Sequence, residues 1–240
     1  MTSQIETAMV LAAGLGQRMR PITDSCPKPL VQIGGRAMLD HALDRLREAG
    51  IGRTVVNVHH LPDQIERHVA SIASPAITVS DERDALLETG GGVKRALPLL
   101  GDTFVAMNSD SLWAEPHESN VGAMLAAWNP AEMECLLLLA DRHSLGYDGH
   151  GDFHLGPSGR LARREKGGAA PYVYAGVGIF RRESFADTPD GAFSLNLIFD
   201  RAIAAGRLYG HVLDGEWLHV GTPEAIPAAE ARLAARRDAA

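Results

Sequence analysis

The sequence is poor in cysteine and aromatic residues, carries no basic excess, and nowhere strings together enough apolar residues to cross a bilayer. Its two cysteines, Cys26 and Cys135, lie far apart and without metal-ligand spacing. That excludes a disulfide framework or zinc ribbon and points to a reduced, cytoplasmic setting. A net charge of −7 over 240 residues offers no broad cationic face, so no nucleic-acid partner is expected. The apolar runs are strand-sized, against the roughly 20 residues of a membrane helix, so no membrane partner is expected either. Two familiar nucleotide-binding turns are also missing. A dinucleotide turn needs Gly-x-Gly-x-x-Gly, and Met19 stands at the third glycine; a Gly-x-x-x-x-Gly-Lys-Ser/Thr loop occurs nowhere.

What is there begins at residue 9. An apolar run, Met9 to Ala13, breaks into a turn at Gly14 and Gly16, and Arg18 and Arg20 follow at once. Lys28 comes next, held between Pro27 and Pro29. A strand that empties into bare backbone N–H groups and fixed cations suits a chain of phosphates. The few cations near the start would then serve a small anionic ligand.

Apolar and polar residues alternate between strand and helix periods through the first half. Strands are expected at Ala8–Ala13, Thr54–Val58, Ala76–Ser80, Thr103–Met107 and Glu134–Ala140. Helices are expected at Met38–Ala49 with Gly50 as its stop, at Leu61–Ile72, at Glu88–Leu100 opened by Gly90–Gly92, and at Asn120–Trp128. The second half is less regular. A glycine-rich loop at Gly146–Gly159 holds a hairpin around Asp152–Leu155, and Tyr172–Arg181 reads as a strand. Ser194–Ala205 reads as a helix capped by Ser194, with short strands at Arg207–Leu213 and Trp217–Val220 and a closing helix from Thr222 to Arg237. Repeated βα units imply an α/β fold: a Rossmann-like, mixed and mostly parallel sheet with helices on both faces, plus a smaller lid region from the irregular second half. At 45% hydrophobic content the chain suffices for a single domain over residues 1–240. Ligands of such sheets bind at the carboxyl ends of strands, where the glycine turn and Asp110 would fall.

The run Leu-x-x-Gly-x-Gly-x-Arg-Met-x-Pro-x-Thr from Leu11 to Thr23, followed by Pro27-Lys28-Pro29-Leu30, resembles the opening of the sugar-phosphate nucleotidyltransferases. Members of that family join a sugar 1-phosphate to a nucleoside triphosphate and release pyrophosphate. The resemblance implies a nucleotide half over about residues 1–130 and a sugar-binding half over about 131–240. It implies that the backbone around Leu11, Ala12, Ala13, Gly14 and Gly16 cradles the nucleotide, with Arg18 on the leaving phosphates. Lys28 would sit between the attacking sugar phosphate and the α-phosphate, and Arg20 would make a supporting salt bridge.

Asn108-Ser109-Asp110 stands where the family has Asn-Gly-Asp, which implies Asp110 as the Mg²⁺ anchor beside nucleotide-binding Asn108. Trp217–Thr222 resembles the family's Trp-x-Asp-x-Gly-Thr segment, but His219 replaces the aspartate that is the usual second metal ligand. His219 could bind metal weakly, contact phosphate, or leave the place to water. Gly90, in the Glu88–Gly92 run, would line the base and ribose, and Asp81 or Glu82 could accept a pyrimidine N–H. Asn57 and His59 end a strand close by, with His59 read as a satisfied turn residue. Asp152, Glu165 and Gly176 match the sugar-reading face. The Gly-Asp-Phe-x-Leu stretch, the Glu-Thr-Gly-Gly-Gly run and the short length resemble the branch of the family that takes UTP and N-acetylmuramic acid 1-phosphate in peptidoglycan recycling. Another hexose 1-phosphate, such as mannose 1-phosphate with GTP, remains open, as does a non-catalytic nucleotide-sugar-binding regulator. A monomer or small homo-oligomer is expected.

Overall fold

The computed structural model describes residues 5–115 and 119–237. A nine-stranded sheet runs through it. Its nucleotide-side half is all parallel: β1 (Thr7–Leu11), β2 (Arg53–Val58), β3 (Ala76–Asp81) and β4 (Thr103–Asn108). The second half adds β5 (Cys135–Asp141), the short β6 (Phe153–Leu155) and β7 (Leu161–Arg163), the long β8 (Tyr172–Arg181) and β9 (Leu208–Val212). The order across the sheet is β3-β2-β1-β4-β8-β5-β9, with β8 antiparallel to both β4 and β5 and β9 parallel to β5. The β6–β7 hairpin joins at Tyr172 of β8. The second half therefore extends the same sheet, and its smaller outlying part is this hairpin with its flanking loops.

Among the described residues there are six α-helices: α1 (Met38–Glu48), α2 (Pro62–Val69), α3 (Glu88–Ala96), α4 (Asn120–Ala127), α5 (Asn196–Ala204) and α6 (Ile226–Arg237). Side chains of β1 point alternately to the two faces: Ala8 and Val10 pack with Leu39 and Leu46 of α1 and Ile65 of α2, and Met9 packs with Val93 of α3 and Ile198 of α5. Helices thus cover both faces, as a parallel sheet buried on both sides requires. The apolar spacing Leu39, Ala42, Leu43, Leu46 puts one stripe of α1 on the sheet, and Gly50 at φ 84° ends the turn that follows.

A third apolar cluster lies off the sheet. Met19, Val31, Ile33 and Met38 meet Leu112, Leu218, Val220 and Ala229 there. It ties the segment that follows the glycine turn to α6. Met19 is fully buried, a contribution of about 1.5–3 kcal/mol for a side chain of its size. The residue that spoils the dinucleotide motif is therefore the apolar pin of this loop.

Several boundaries move. β1 stops at Leu11, so Ala12 and Ala13 already belong to the loop. The helix expected to Leu100 ends at Ala96, because Pro98 cannot continue it and Leu97–Leu99 tightens into a 3-10 turn. α5 begins at Asn196 with Leu195 as its N-cap; Ser194 Oγ still accepts the Asn196 N–H at 3.2 Å. Of the strand expected at Trp217–Val220, Trp217 pairs with Trp113 in a two-residue ladder that begins at Glu216, and Leu218 forms an isolated bridge to Leu145. The closing helix starts at Ile226, after a 3-10 turn at Pro223–Ala225.

Candidate active site

Parallel register decides where the site lies. Leu11 pairs with Asn108, and Asn57 with Ser80, so the carboxyl ends of β1, β2, β3 and β4 open on one edge. A cleft of about 710 Å³ opens there. Its walls are the loop from Leu11 to Met19, Lys28 with Pro29, Asn57, Glu82, the start of α3, Asn108 to Asp110, and Gly221. Most of the residues singled out in the sequence meet in this one place.

Gly16 sits at φ 61°, a conformation that favours glycine. A Cβ on it would lie 2.9 Å from Thr23 Cγ2 and 3.0 Å from Lys28 Cβ. The Gly16 carbonyl accepts from Thr23 Oγ1 and from Met19 N–H, each at 2.8 Å. The turn is thereby stacked on the Pro27-Lys28-Pro29 segment, and the motif's glycine, threonine and lysine prove to be one packed unit. Gly14 differs: its Cβ position meets nothing, and the residue is exposed.

Lys28 heads a short 3-10 turn between buried Pro27 and Pro29, and its side chain is 13% exposed. Its ammonium donates to Asp110 Oδ2 in a close ion pair across 82 residues of sequence. Arg18 is exposed and makes no ion pair among the described residues, which leaves its guanidinium available to an anion. Arg20 pairs instead with Asp24 at 3.2 Å, a solvent-exposed contact.

His219 lies next to this group. A Cβ on Gly221 would sit 2.9 Å from His219 Nε2 and 3.1 Å from an Arg18 terminal nitrogen, so Gly221 separates the two side chains. The imidazole packs 5.0 Å from Trp217 and edge-on to Tyr147 at 5.9 Å. Burial pushes its pKa below the usual histidine value; Arg18 and Lys28 push the same way and Asp110 opposes them. The ring is therefore an uncharged nitrogen donor at neutral pH.

The nucleotide-side residues need three corrections. The Ala12 N–H donates to Asn57 Oδ1 at 2.6 Å, so free loop amides begin at Ala13. Gly90 does not offer an open N–H: it and Gly91 donate to the Phe193 carbonyl at 2.8 and 3.1 Å, inside the packing between α3 and the segment before α5. Asp81 points outward and is taken by Arg83. Glu82 turns inward, with no exposed surface, and its Oε1 accepts from Asn57 Nδ2 at 2.8 Å. Its Oε1 is thus engaged with Asn57, while the residue still forms part of the cleft wall. Burial raises its pKa above the ordinary glutamate value. His59 is satisfied, bonded through Nδ1 to the Glu82 carbonyl at 2.7 Å.

The sugar-side residues are scattered. Asp152 accepts the Tyr174 N–H at 3.0 Å and so fastens the hairpin to β8. Glu165 is exposed in a turn whose carbonyl accepts the Gly168 N–H at 3.0 Å. Gly176, expected to leave room for a sugar ring, sits at a register shift in β8, and its missing side chain makes room for Ser111 and Asn108. None of these three lines the cleft, and neither does Gly90. Asn57, Thr89 and Gly221 line the cleft although the sequence had given none of them a role of its own. A lone amide in the β-branched run Thr54–Val58 was the available signal for Asn57. Among the described residues no group of three or more His, Cys, Asp or Glu could hold a metal, so substrate oxygens would have to complete any coordination at Asp110.

Comparison with known proteins adds three findings. The family model described as nucleotidyl transferase matches residues 7–236. An N-acetylmuramate alpha-1-phosphate uridylyltransferase of Caulobacter vibrioides is 48% identical over 98% of this chain and 99% of its own, and one of Neisseria meningitidis is 35% identical over 90% and 93%. The fold matches a UDP-glucose pyrophosphorylase solved with UDP-glucose (TM-score 0.81, 16% identity, covering 97% of this chain and 99% of that one) and an inositol-1-phosphate CTP transferase of T. maritima (0.78, 18%, 98% and 96%).

Proposed function

The chain belongs to the nucleotidyl transferase family, and from that premise we propose that it makes UDP-N-acetylmuramic acid and pyrophosphate from UTP and N-acetylmuramic acid 1-phosphate. The observation that carries the reading is the meeting of Arg18, Lys28 and Asp110 around the glycine turn, in a chain 48% identical to a relative of that printed activity.

A sugar-phosphate oxygen attacks the α-phosphorus, a new P–O bond forms, and the bond to the β-phosphate oxygen breaks as pyrophosphate leaves. Little covalent work falls to side chains, so positioning and charge dominate. The amides from Ala13 to Gln17 hold the triphosphate. Arg18 grips two oxygens of the departing pyrophosphate through its planar fork. Lys28, steadied by buried prolines, neutralises charge between the attacking phosphate and the α-phosphate. Asp110 suits a divalent ion: it lines the cleft, and while its Oδ2 holds the Lys28 ammonium its Oδ1 has no hydrogen-bond partner among the described residues. Mg²⁺ bound there would neutralise phosphate oxygens. His219 is a neutral nitrogen donor next to it, a poorer partner for Mg²⁺ than the carboxylate it replaces. We take residues 1–240 as one such domain, its nucleotide half to about residue 130 and its sugar half beyond. Glu165, with its free carboxylate, is the sugar-side residue proposed to meet substrate hydroxyls.

Pyrophosphate release tests this directly: four nucleoside triphosphates against several sugar 1-phosphates, with and without Mg²⁺. Turnover is expected with UTP and N-acetylmuramic acid 1-phosphate. Turnover confined to GTP and mannose 1-phosphate would move the chain to another branch of the family. Saturable UTP binding without turnover on any pair would make it a binder, a reading that the exchange at His219 favours.

A further inference from the structure

We infer that Asn57 and Glu82 are positioning residues that set the entry of the triphosphate loop, acting through the Ala12 amide. This rests on the nucleotide reading of the cleft given above. Asn57 is 2% exposed at the end of β2, and Glu82 is wholly buried just past β3. Asn57 spans the gap between them and the loop. Its Oδ1 takes the Ala12 N–H at 2.6 Å, and its Nδ2 gives to Glu82 Oε1 at 2.8 Å. The two contacts demand the same amide orientation: a backbone N–H needs the oxygen, and the carboxyl needs the nitrogen. Glu82 is itself held by its main chain, with its N–H on the Val58 carbonyl at 2.9 Å and its carbonyl on His59 at 2.7 Å.

The helix side of the pair is shaped to it. A Cβ on Gly92 of α3 would lie 2.9 Å from Asn57 Nδ2 and 2.9 Å from Glu82 Oε1, so only glycine lets the helix backbone close over them. Four parts of the fold, the loop after β1, β2, the end of β3 and α3, thus converge on two buried polar side chains. Replacing buried charged partners by apolar residues of similar volume is often neutral or stabilising, so burial of the Glu82 carboxyl is weak evidence of a stabilising role. Moreover, Glu82 Oε2 has no hydrogen-bond partner among the described residues, an arrangement that stability alone does not favour. The one connection from the pair to the loop runs to Ala12, the first residue after β1, from which the amides of Ala13 to Gln17 follow. Fixing that amide aims the rest of the turn at the cleft, where a misplacement on the order of 1 Å can lower turnover about a hundredfold.

A polarity swap tests the pair. Asn57→Asp keeps an acceptor for Ala12 but sets two carboxyl groups against each other. The KM for UTP and its dissociation constant in equilibrium titration should rise at least about tenfold, while the KM for the sugar 1-phosphate moves less than about threefold. Adding Glu82→Gln gives the new carboxylate an amide donor in mirrored order, and UTP binding should return to within about threefold of the unsubstituted protein. Unchanged UTP binding in Asn57→Asp overturns the inference. So does a double variant that binds UTP no better than the single one, or that unfolds as readily, because the pair would then be a fold-stabilising contact only. If the unsubstituted protein itself neither binds nor turns over UTP, the nucleotide reading has failed and not the role of the pair.

Discussion

The nucleotide edge and the β6–β7 side of the same sheet are built differently. At the first, polar side chains reach each other across long stretches of sequence: Ala12 to Asn57, Asn57 to Glu82, Lys28 to Asp110. They are half or fully buried, they converge on one cleft, and hydrogen bonds leave most of them one orientation. At the second, Asp152 is spent on a backbone amide, Glu165 stands in solvent, and Gly176 makes room for neighbouring side chains. A preorganised edge for the proposed phosphate chemistry, beside a more open side for the proposed sugar, suits an enzyme whose common chemistry lies at the phosphates while its specificity lies in the second substrate.

Substitutions can break or sharpen this contrast. The largest effect is expected from Lys28→Ala or Arg18→Ala, a loss of about 10²–10³ in kcat with melting temperature little changed, since each removes a preorganised cation at charge that develops in the reaction. Measured by pyrophosphate release, near-normal turnover would deny the edge its catalytic standing. Next comes Gly16→Ala. A Cβ at φ 61° costs about 1–2 kcal/mol before the contacts with Thr23 and Lys28 are counted, so both stability and turnover should fall. Denaturant unfolding checks the first and kinetics the second.

Asp152→Ala and Glu165→Ala should separate the two kinds of residue on the far side. Removing the Asp152 acceptor leaves the Tyr174 amide unpaired and should destabilise by about 1–3 kcal/mol. Glu165→Ala should leave unfolding unchanged and raise the KM for the sugar 1-phosphate severalfold, with UTP unaffected. A Glu165→Ala variant with an unchanged sugar KM would leave the sugar half without its proposed reader.

The smallest effect concerns pH. His41, His211 and His219 all have pKa values depressed, chiefly by burial. In each case the unfolded chain binds its proton first, near pH 6.5, so the stability they confer is full above that value and is lost as the pH falls through the depressed folded values. Melting temperature should decline on acidification below about pH 6.5. His211→Asn, remote from the cleft, should flatten that decline without altering kcat at neutral pH. An equally steep decline would remove His211 from the account.

Much of the architecture was legible because period and punctuation are local. The β-branched run at Thr54, the helical stripe from Leu39 and the stop at Gly50 each follow from residues a few positions apart. Gly16, Arg18 and Lys28 stood out because a strand emptying into glycines and cations is a pattern that phosphate chemistry explains, and Asp110 through its likeness to the family's Asn-Gly-Asp; the fold brings the four to one cleft. Gly90 misled for the opposite reason. A triplet of glycines at a helix start reads as open amides, yet its N–H is closed by the Phe193 carbonyl, about a hundred residues away in sequence. The choice between Asp81 and Glu82 stayed open because nothing local tells a carboxyl that faces inward from a neighbour that faces out; the alternation of β3 and the reach of Asn57 decide between them.

The amino-acid order by itself determined the family signature, the alternation of strands and helices, and the cations that the phosphate loop presents. Which amides of that loop remain free, which carboxyl is buried, and which glycines serve packing more than ligands were decided only in three dimensions. The physical reason is that a hydrogen bond is satisfied by proximity in space, and the partners that settle these questions lie 45 residues apart for Ala12 and Asn57 and 82 apart for Lys28 and Asp110.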